Sequence, residues 1–195
     1  ILSWHDRSPA SKHTPDWVQT FAVPRSEGGP AINYIRGNDR ATLFWTANLA
    51  DIEKHVLLAR APELNQPTSV VFDLDPGSPA GLLECGRVAL HLKELFDAWG
   101  LKSFVKVSGS KGLHLSVPLN CGATYEMTQP FAKAVAEVGA QQLPRPVVSE
   151  QAKSIRAGKG LIDWSQNTDV TTTAGFYALR SKKDDRVVPR SITEG

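Results

Sequence analysis

Residues 70–77 of the chain read VVFDLDPG. Alternate residues of a β-strand lie on opposite faces, so Asp73 and Asp75 share one face while Phe72 and Leu74 lie on the other. Two neighbouring carboxylates repel each other unless a cation lies between them. Paired oxygen ligands of this kind are typical of Mg²⁺ or Mn²⁺ sites that also bind substrate phosphates. A solvated strand end before a Pro-Gly turn is the alternative, and this stretch alone leaves both interpretations open.

The length and composition describe an ordinary globular chain. Its 195 residues are enough for one domain with a sizeable core, and 41% hydrophobic and 22% charged residues exclude disordered and membrane-embedded classes. The net charge of +2 permits nucleic-acid binding only through a local basic surface. No secretory signal or membrane span is visible, so we expect a cytoplasmic protein. Cys85 and Cys121 lack metal-ligand spacing and are expected to be reduced, buried thiols.

The first third of the chain predicts a hairpin, a helix and a linker. Strands over 18–23 and 31–35 flank a Gly-Gly turn. Asn38 or Asp39 can cap a helix that runs to about Arg60. The inner stripe of this helix would contain Leu43, Ala47, Ala50 and Leu57. A polar linker through Pro62 and Pro67 would then reach the aspartate strand.

The rest of the chain alternates between helices and strands. Helices are expected over roughly 80–99 and from near Thr128 to about Gln142, with Pro130 in the first turn of the second helix. Strands are expected over 103–107, 113–118, 161–164 and 171–179. This pattern indicates a mixed α/β fold with hairpins as well as crossovers.

A glycine-rich loop with the sequence SGSKG joins two predicted strands at residues 108–112. Its glycines allow unusual backbone dihedrals that turn N–H groups toward an anion, while Ser108 and Lys111 add donors and charge. The spacing is not that of a Walker A loop, and a strand follows instead of a helix. His114, on that strand, could donate to a phosphate or a hydroxyl. Taken alone, the SGSKG loop is more simply explained as a flexible loop and His114 as a structural histidine. The combination of the loop with His114 favours a phosphate site.

Two further charged residues follow in the last third of the chain. Asp163 interrupts an apolar run, where a carboxylate is costly unless it pairs, binds a metal or caps the strand end. With Asp73 and Asp75 it would complete a three-carboxylate site for two metals in phosphoryl transfer. Arg180 could bind phosphate through two N–H groups, although a surface arginine without this role is the simpler interpretation.

Four tryptophans could stack on nucleic-acid bases, but packing in the core is the more common role of this residue. We therefore rank base stacking below core packing for Trp4, Trp17, Trp45 and Trp164.

Taken in order, these motifs resemble the polymerase domain of bacterial ligase D, in the archaeo-eukaryotic primase superfamily. The matching runs are VFDLDPG at 71–77, FVKVSGSKGLH at 104–114 and IDWSQN at 162–167. Weaker support comes from ATLFW at 41–45, NLA at 48–50 and FYALR at 176–180. The likeness covers most of residues 12–180, with its three central motifs in the expected order.

The resemblance implies an α+β (mixed α/β) fold: a primase-like catalytic core with a mostly antiparallel central sheet flanked by helices, forming one domain over residues 1–195. It implies a primase-type polymerase, a metal-dependent nucleotidyltransferase. Such an enzyme adds nucleotides, often ribonucleotides, to the 3′-hydroxyl of DNA ends in non-homologous end joining, using two Mn²⁺ or Mg²⁺ ions. Implied partners are DNA ends, nucleoside triphosphates, Ku and a ligase domain or protein. The family's usual N-terminal segment is not matched, so we expect a chain without it, located in the cytoplasm with the nucleoid.

The family's site residues carry over onto matching positions. Asp73, Asp75 and Asp163 are implied to be the catalytic metal ligands. The triphosphate clamp would consist of Ser108, Lys111 and Arg180. Nucleotide contacts are implied for His114, Gln166 and His55, the last matching a helix histidine near the incoming nucleotide.

Two other classes of function remain open from the residues alone. A metal-dependent phosphohydrolase or nuclease could use the same carboxylates. Phosphatases of the haloacid dehalogenase type also begin with Asp-x-Asp after a strand, but they carry Thr or Val where this chain has Gly77, and they leave the SGSKG loop unexplained. A non-catalytic DNA-end binding module would instead show salt-sensitive binding without incorporation.

Overall fold

The computed structural model describes residues 5–10, 13–25, 28–51, 53–77, 80–143, 147–148, 160–180 and 191–192. The elements follow in the order β1 (His5–Pro9), β2 (Thr20–Val23), β3 (Ile32–Arg36), α1 (Arg40–Asn48), β4 (His55–Leu57), β5 (Ala59–Arg60), β6 (Glu63–Pro67), β7 (Ser69–Pro76), α2 (Leu82–Ala98), β8 (Phe104–Val107), β9 (Leu113–Pro118), α3 (Tyr125–Gln142), β10 (Val147–Val148), β11 (Gly160–Asp163), β12 (Thr172–Ala174) and β13 (Ser191–Ile192). No helix in these ranges has the length and apolar character needed to cross a membrane.

A six-stranded sheet with the order β10-β11-β7-β9-β8-β13 forms the centre. Its neighbouring strands are antiparallel apart from the parallel pair β10–β11. Helices α2 and α3 pack against one face of the sheet. There Phe72 and Leu74 are completely buried with Leu92, Phe96 and Leu115, because alternate β7 residues point into this core. The predicted mostly antiparallel sheet with flanking helices is confirmed.

The opposite face of the sheet carries a second, smaller layer. Strands β4 and β12 pair antiparallel, with His55 opposite Ala174. Below them Leu58, Ala59, Val71 and Tyr125 form a small buried cluster. The predicted hairpin is confirmed: β2 and β3 pair antiparallel and are joined to β1 in a three-stranded sheet.

Helix α1 is much shorter than predicted. Asp39 caps it as expected, since its Oδ1 accepts a hydrogen bond from the Thr42 amide at 2.8 Å. The helix ends at Asn48, and Ala50 takes the left-handed conformation with φ of 60°, which stops helical propagation. The predicted extension to Arg60 is therefore wrong.

The predicted inner stripe of α1 is also wrong. The buried residues of this helix are Thr42 and Thr46, whereas Leu43 is 41% exposed and Ala47 and Ala50 are exposed. Thr46 is accommodated because its hydroxyl donates to the carbonyl of Leu43 at 3.0 Å. A short helix thus buries its hydroxyl face and leaves an apolar one outside.

Other expectations are corrected at element ends. The supposed linker is strand β6, which pairs with β5. Helix α3 begins at Tyr125, a buried residue, so Pro130 lies in its second turn. Strand β12 has three residues, because a turn with Tyr177 at φ of 63° follows it. Of the two free cysteines, Cys85 is buried as expected and Cys121 is exposed.

Candidate active site

Four polar side chains form one row across the central sheet. Asp163 of β11 pairs in register with Asp73 of β7, Asp73 with His114 of β9, and His114 with Lys106 of β8. Side chains at directly paired positions lie on the same face and within about 5 Å at Cβ. Asp75 follows two residues along β7 and therefore lies on this face too. The fold thus brings the three predicted carboxylates to one place on the face opposite the helices.

Asp73 is held in an environment that disfavours its negative charge. Burial, followed by the charges of Asp75 and Asp163, raises its pKa from 3.8 to about 7. Its Oδ1 is buried and accepts no hydrogen bond from the part of the chain that the structure describes. His114 Nε2 lies 3.4 Å from this oxygen without forming a hydrogen bond to it.

His114 is a neutral imidazole at pH 7. Burial, with the nearby positive charges of Lys106 and Arg180, lowers its pKa to about 3. Its Nδ1 lies 3.3 Å from the hydroxyl of Thr173 in β12. The contact with Asp73 is therefore not an ion pair, and the ring is held between the sheet and the smaller layer above it.

Asn167 fixes the turn after Asp163. Its side chain is 1% exposed and makes two hydrogen bonds to the backbone of Val71, as a neighbouring strand would. Oδ1 accepts from the Val71 amide at 2.9 Å, and Nδ2 donates to the Val71 carbonyl at 2.8 Å. Nδ2 also donates to the Trp164 carbonyl at 2.7 Å. The Asp163 carboxylate accepts from the Ser165 amide at 2.8 Å. Sequence reasoning missed Asn167, although it ends the run IDWSQN.

The SGSKG loop is folded onto itself and against β7. The Ser108 hydroxyl oxygen accepts from the amides of Ser110 and Gly112, both at 3.3 Å, so its own proton stays available to another acceptor. Gly109 has φ of 74°, which confirms the predicted unusual dihedral. A Cβ at Gly112 would lie 2.0 Å from the Leu74 carbonyl oxygen, so this position requires glycine.

A cleft collects most of the predicted residues. Its lining includes His55, Asp73, Asp75, Ser108, His114, Gln166 and Arg180, together with Ser110 and residues 172–174. Asp163 and Lys111 do not line it. Asp163 lies one strand beyond Asp73, and Lys111 is exposed at the loop tip. The individual roles of these side chains stay predictions.

The wall opposite the carboxylates is formed by β4, β12 and the turn that follows. His55 belongs to strand β4, so its assignment to a helix is wrong, and Arg180 follows a turn instead of ending a strand. Lys106 ties this wall to the sheet: its Nζ donates to the carbonyls of Ala174 and, at 3.5 Å, Gly175.

Lys106 is the second residue that sequence reasoning missed. It is 5% exposed, and burial followed by the charge of Arg180 lowers its pKa to about 8. Its Nζ also lies 5.2 Å from the ring centroid of Phe176. The available signal was a lysine in the otherwise apolar strand FVKV.

The carboxylate set fits a divalent cation in its chemistry. Asp73 offers a buried, unpartnered oxygen, and the charges of Asp75 and Asp163 raise its pKa, so a cation between them would relieve both effects. Within the described ranges, however, no three carboxylate, imidazole or thiol groups already surround one point as a ligand set. The fit therefore rests on the shared face and the unpartnered oxygen.

Comparisons with known proteins agree on one family. The family described as "LigD, primase-polymerase domain" matches residues 7–194. The chain is 37% identical over 190 residues to the multifunctional non-homologous end joining DNA repair protein LigD of Mycobacterium tuberculosis, covering 92% of this chain and 25% of that protein. It is 32% identical over 172 residues to the bifunctional non-homologous end joining protein LigD of Bacillus subtilis, covering 88% of this chain and 27% of that protein. The chain thus spans about a quarter of the length of the curated relatives it matches.

A solved structure agrees with the sequence matches. The polymerase domain from Mycobacterium tuberculosis ligase D in complex with DNA superimposes with a TM-score of 0.86 at 33% identity, covering 95% of this chain and 66% of that chain. The expected family and fold class are both confirmed. This chain belongs to the family of LigD primase-polymerase domains.

Proposed function

We propose that this chain is a metal-dependent nucleotidyltransferase that extends the 3′-hydroxyl of DNA ends in non-homologous end joining. The observation that carries the proposal is the register-paired row in which Asp163 and Asp73 lie on neighbouring strands, with Asp75 on the same face. The cleft above this row is lined on its other sides by hydroxyl, imidazole and guanidinium groups. Carboxylates facing such donors suit a triphosphate bound through divalent cations.

In the proposed reaction the primer 3′-oxygen attacks the α-phosphorus of a nucleoside triphosphate, and pyrophosphate leaves. Asp73, Asp75 and Asp163 would hold Mn²⁺ or Mg²⁺, which when bound lowers the pKa of the attacking hydroxyl and neutralises triphosphate charge. Ser108 can donate its hydroxyl proton to a phosphate oxygen, and Arg180 offers paired N–H groups.

Neutral groups line the rest of the cleft. His114 is uncharged at pH 7, and Gln166 carries an amide, so both can bind the nucleotide by hydrogen bonds. Lys111, exposed beside the cleft, can reach a phosphate as a mobile point charge.

The descriptions of the relatives support DNA as a partner of this chain. They are described as multifunctional or bifunctional end-joining proteins, and the solved relative is in complex with DNA. We infer that DNA ends are the substrate of this chain as well, and that Ku and a ligase domain or protein act on the same ends. We also propose that the protein acts in the bacterial cytoplasm with the nucleoid, where DNA ends are found.

Primer extension tests the proposal. A short 3′-recessed duplex is incubated with labelled ATP or dATP and Mn²⁺, using wild type, Asp75→Asn and the matched control Asp97→Asn. Asp97 is an exposed aspartate at the end of α2, on the other side of the sheet. We expect wild type and the control to incorporate nucleotide and Asp75→Asn to incorporate none above background, because a neutral amide is a poor ligand for a hard cation.

The alternatives predict different products. Shortening of the primer without incorporation would indicate a nuclease, and hydrolysis of the labelled nucleotide without incorporation would indicate a phosphohydrolase. DNA binding by wild type without incorporation, unchanged in Asp75→Asn and weakened by salt, would indicate the non-catalytic binding module. The match to LigD primase-polymerase domains favours the polymerase over both alternatives.

A further inference from the structure

Glu53 joins two of the cleft residues through a single carboxylate oxygen. Its Oε1 lies 2.9 Å from His55 Nε2 and 3.2 Å from Arg180 Nη1. The three side chains are between 23% and 32% exposed, so the cluster is partly shielded from water. Both partners line the cleft, whereas Glu53 does not.

The geometry restricts what each partner can do. A carboxylate accepts hydrogen bonds, so the contact with His55 requires the proton to be on Nε2, and in the neutral ring Nδ1 is then an acceptor. Arg180 uses Nη1 toward Glu53 and keeps its remaining N–H groups for other ligands. Since guanidinium is planar, one fixed N–H also fixes the plane in which the others point.

A carboxylate beside a triphosphate site has two opposing effects. It repels the negatively charged nucleotide, and it holds the arginine and histidine in one arrangement before the nucleotide arrives. The repulsion acts through partly exposed surroundings where charge interactions are weakened by solvent. The orientation acts through direct contacts of about 3 Å, where preorganisation removes the entropy of fixing a long side chain on binding.

We propose that Glu53 is a positioning residue for nucleotide binding, acting through Arg180 and His55. The inference rests on the proposed function, because it assumes that the cleft binds a nucleoside triphosphate. Glu53 itself touches no substrate in this proposal. It sets the direction of the Arg180 donors and the tautomer of His55.

Calorimetric binding of ATP with Mn²⁺ tests the inference without relying on turnover. Glu53→Gln keeps the shape and removes the charge. We expect its Kd for ATP to rise about tenfold, as for other residues that orient ligand-binding groups, and kcat in primer extension to change less than about threefold. Glu63→Gln, the same change at an exposed position of β6, should leave Kd unchanged.

Double variants separate positioning from a structural role. If Glu53 acts through its two partners, the tenfold effect of Glu53→Gln should fall to about threefold in an Arg180→Gln background and again in a His55→Gln background. A purely structural role would weaken binding by the full factor in both backgrounds and lower the melting temperature. That result would overturn the inference.

The failures of the two proposals are distinguishable. Equal or tighter ATP binding by Glu53→Gln, with normal binding by wild type, would mean that repulsion outweighs orientation. It would overturn this inference and leave the proposed function intact. Absence of ATP binding by wild type would overturn the proposed function and this inference with it.

Discussion

Asp73 is a carboxylate whose surroundings favour its protonated form in the folded protein. The unfolded chain loses this proton near the ordinary pKa of 3.8, whereas the folded chain retains it to about pH 7. Because the folded state then binds more protons between these values, its stability falls as pH rises from about 4 to about 7. This is the opposite of the usual effect of a paired carboxylate.

Asp73→Asn should therefore stabilise the metal-free protein while it abolishes incorporation. At pH 8 we expect a gain of about 2–4 kcal/mol in the free energy of unfolding, because the amide avoids the cost of an ionised group among like charges. The gain should be smaller at pH 5. Urea denaturation in EDTA at both pH values measures it, with Asp97→Asn as the control. Destabilisation at pH 8 would show that the Asp73 charge is compensated in the folded protein.

At the scale of single elements, local pattern predicted β7, β9 and α2 well. In β7 the alternation agrees with burial, because Phe72 and Leu74 lie in the core beside Leu92 and Phe96 of α2. The same reasoning failed at α1 and β4, because the nine-residue helix ends at Asn48 and Ala50, two residues later, takes the left-handed conformation. Alanine has the highest helix propensity, so local propensity favoured continuing the helix past this point.

The residues of the candidate site divide in the same way into those that local pattern predicted and those that it missed. Alternation along one strand placed Asp73 and Asp75 together, and a polar interruption of an apolar run indicated Asp163. Lys106 and Asn167 were missed because their partners lie 68 and 96 residues away in sequence. Contacts of this kind depend on how the layers meet, and no local pattern reports them.

The SGSKG loop offers a matched test at this scale. Gly112→Ala would place a methyl group against the backbone of β7, so we expect a loss of about 2 kcal/mol or more of stability together with reduced incorporation. Gly86→Ala, within α2 and with no atom within 4 Å of the added group, should instead stabilise by about 0.5–1 kcal/mol. Thermal denaturation of both variants gives the comparison. Equal effects would contradict the close approach of the loop to β7.

At the scale of the whole molecule, the cleft lies between the central sheet and the β4–β12 layer. The central sheet carries the carboxylates, and the β4–β12 layer carries His55. The buried Nζ of Lys106 bridges them by donating to carbonyls beside β12. Its folded pKa of about 8 lies below the ordinary 10.5, so the unfolded state binds more protons between these values and stability rises with pH there.

Lys106→Met should remove that rise and loosen the wall. We expect the free energy of unfolding of wild type to increase from pH 8 to pH 10 relative to that of Lys106→Met. We also expect Lys106→Met to have a higher KM for nucleotide than wild type, because the residues after β12 lose their tie to the sheet. Urea denaturation at both pH values and steady-state extension kinetics measure the two effects. Lys102→Met, an exposed lysine just before β8, is the control. Parallel pH profiles for wild type and Lys106→Met would contradict the assignment.

Asn167 has a consequence for the hydrogen bonding of the central sheet. Strand β11 covers β7 from Asp73 to Pro76, so the backbone of β7 before Asp73 has no strand on that side within the described ranges. The Asn167 amide occupies the buried Val71 N–H and C=O there, and buried backbone groups left without partners would cost free energy. One side chain thus both fixes the turn beside the carboxylates and supplies the hydrogen bonds that a neighbouring strand would otherwise make.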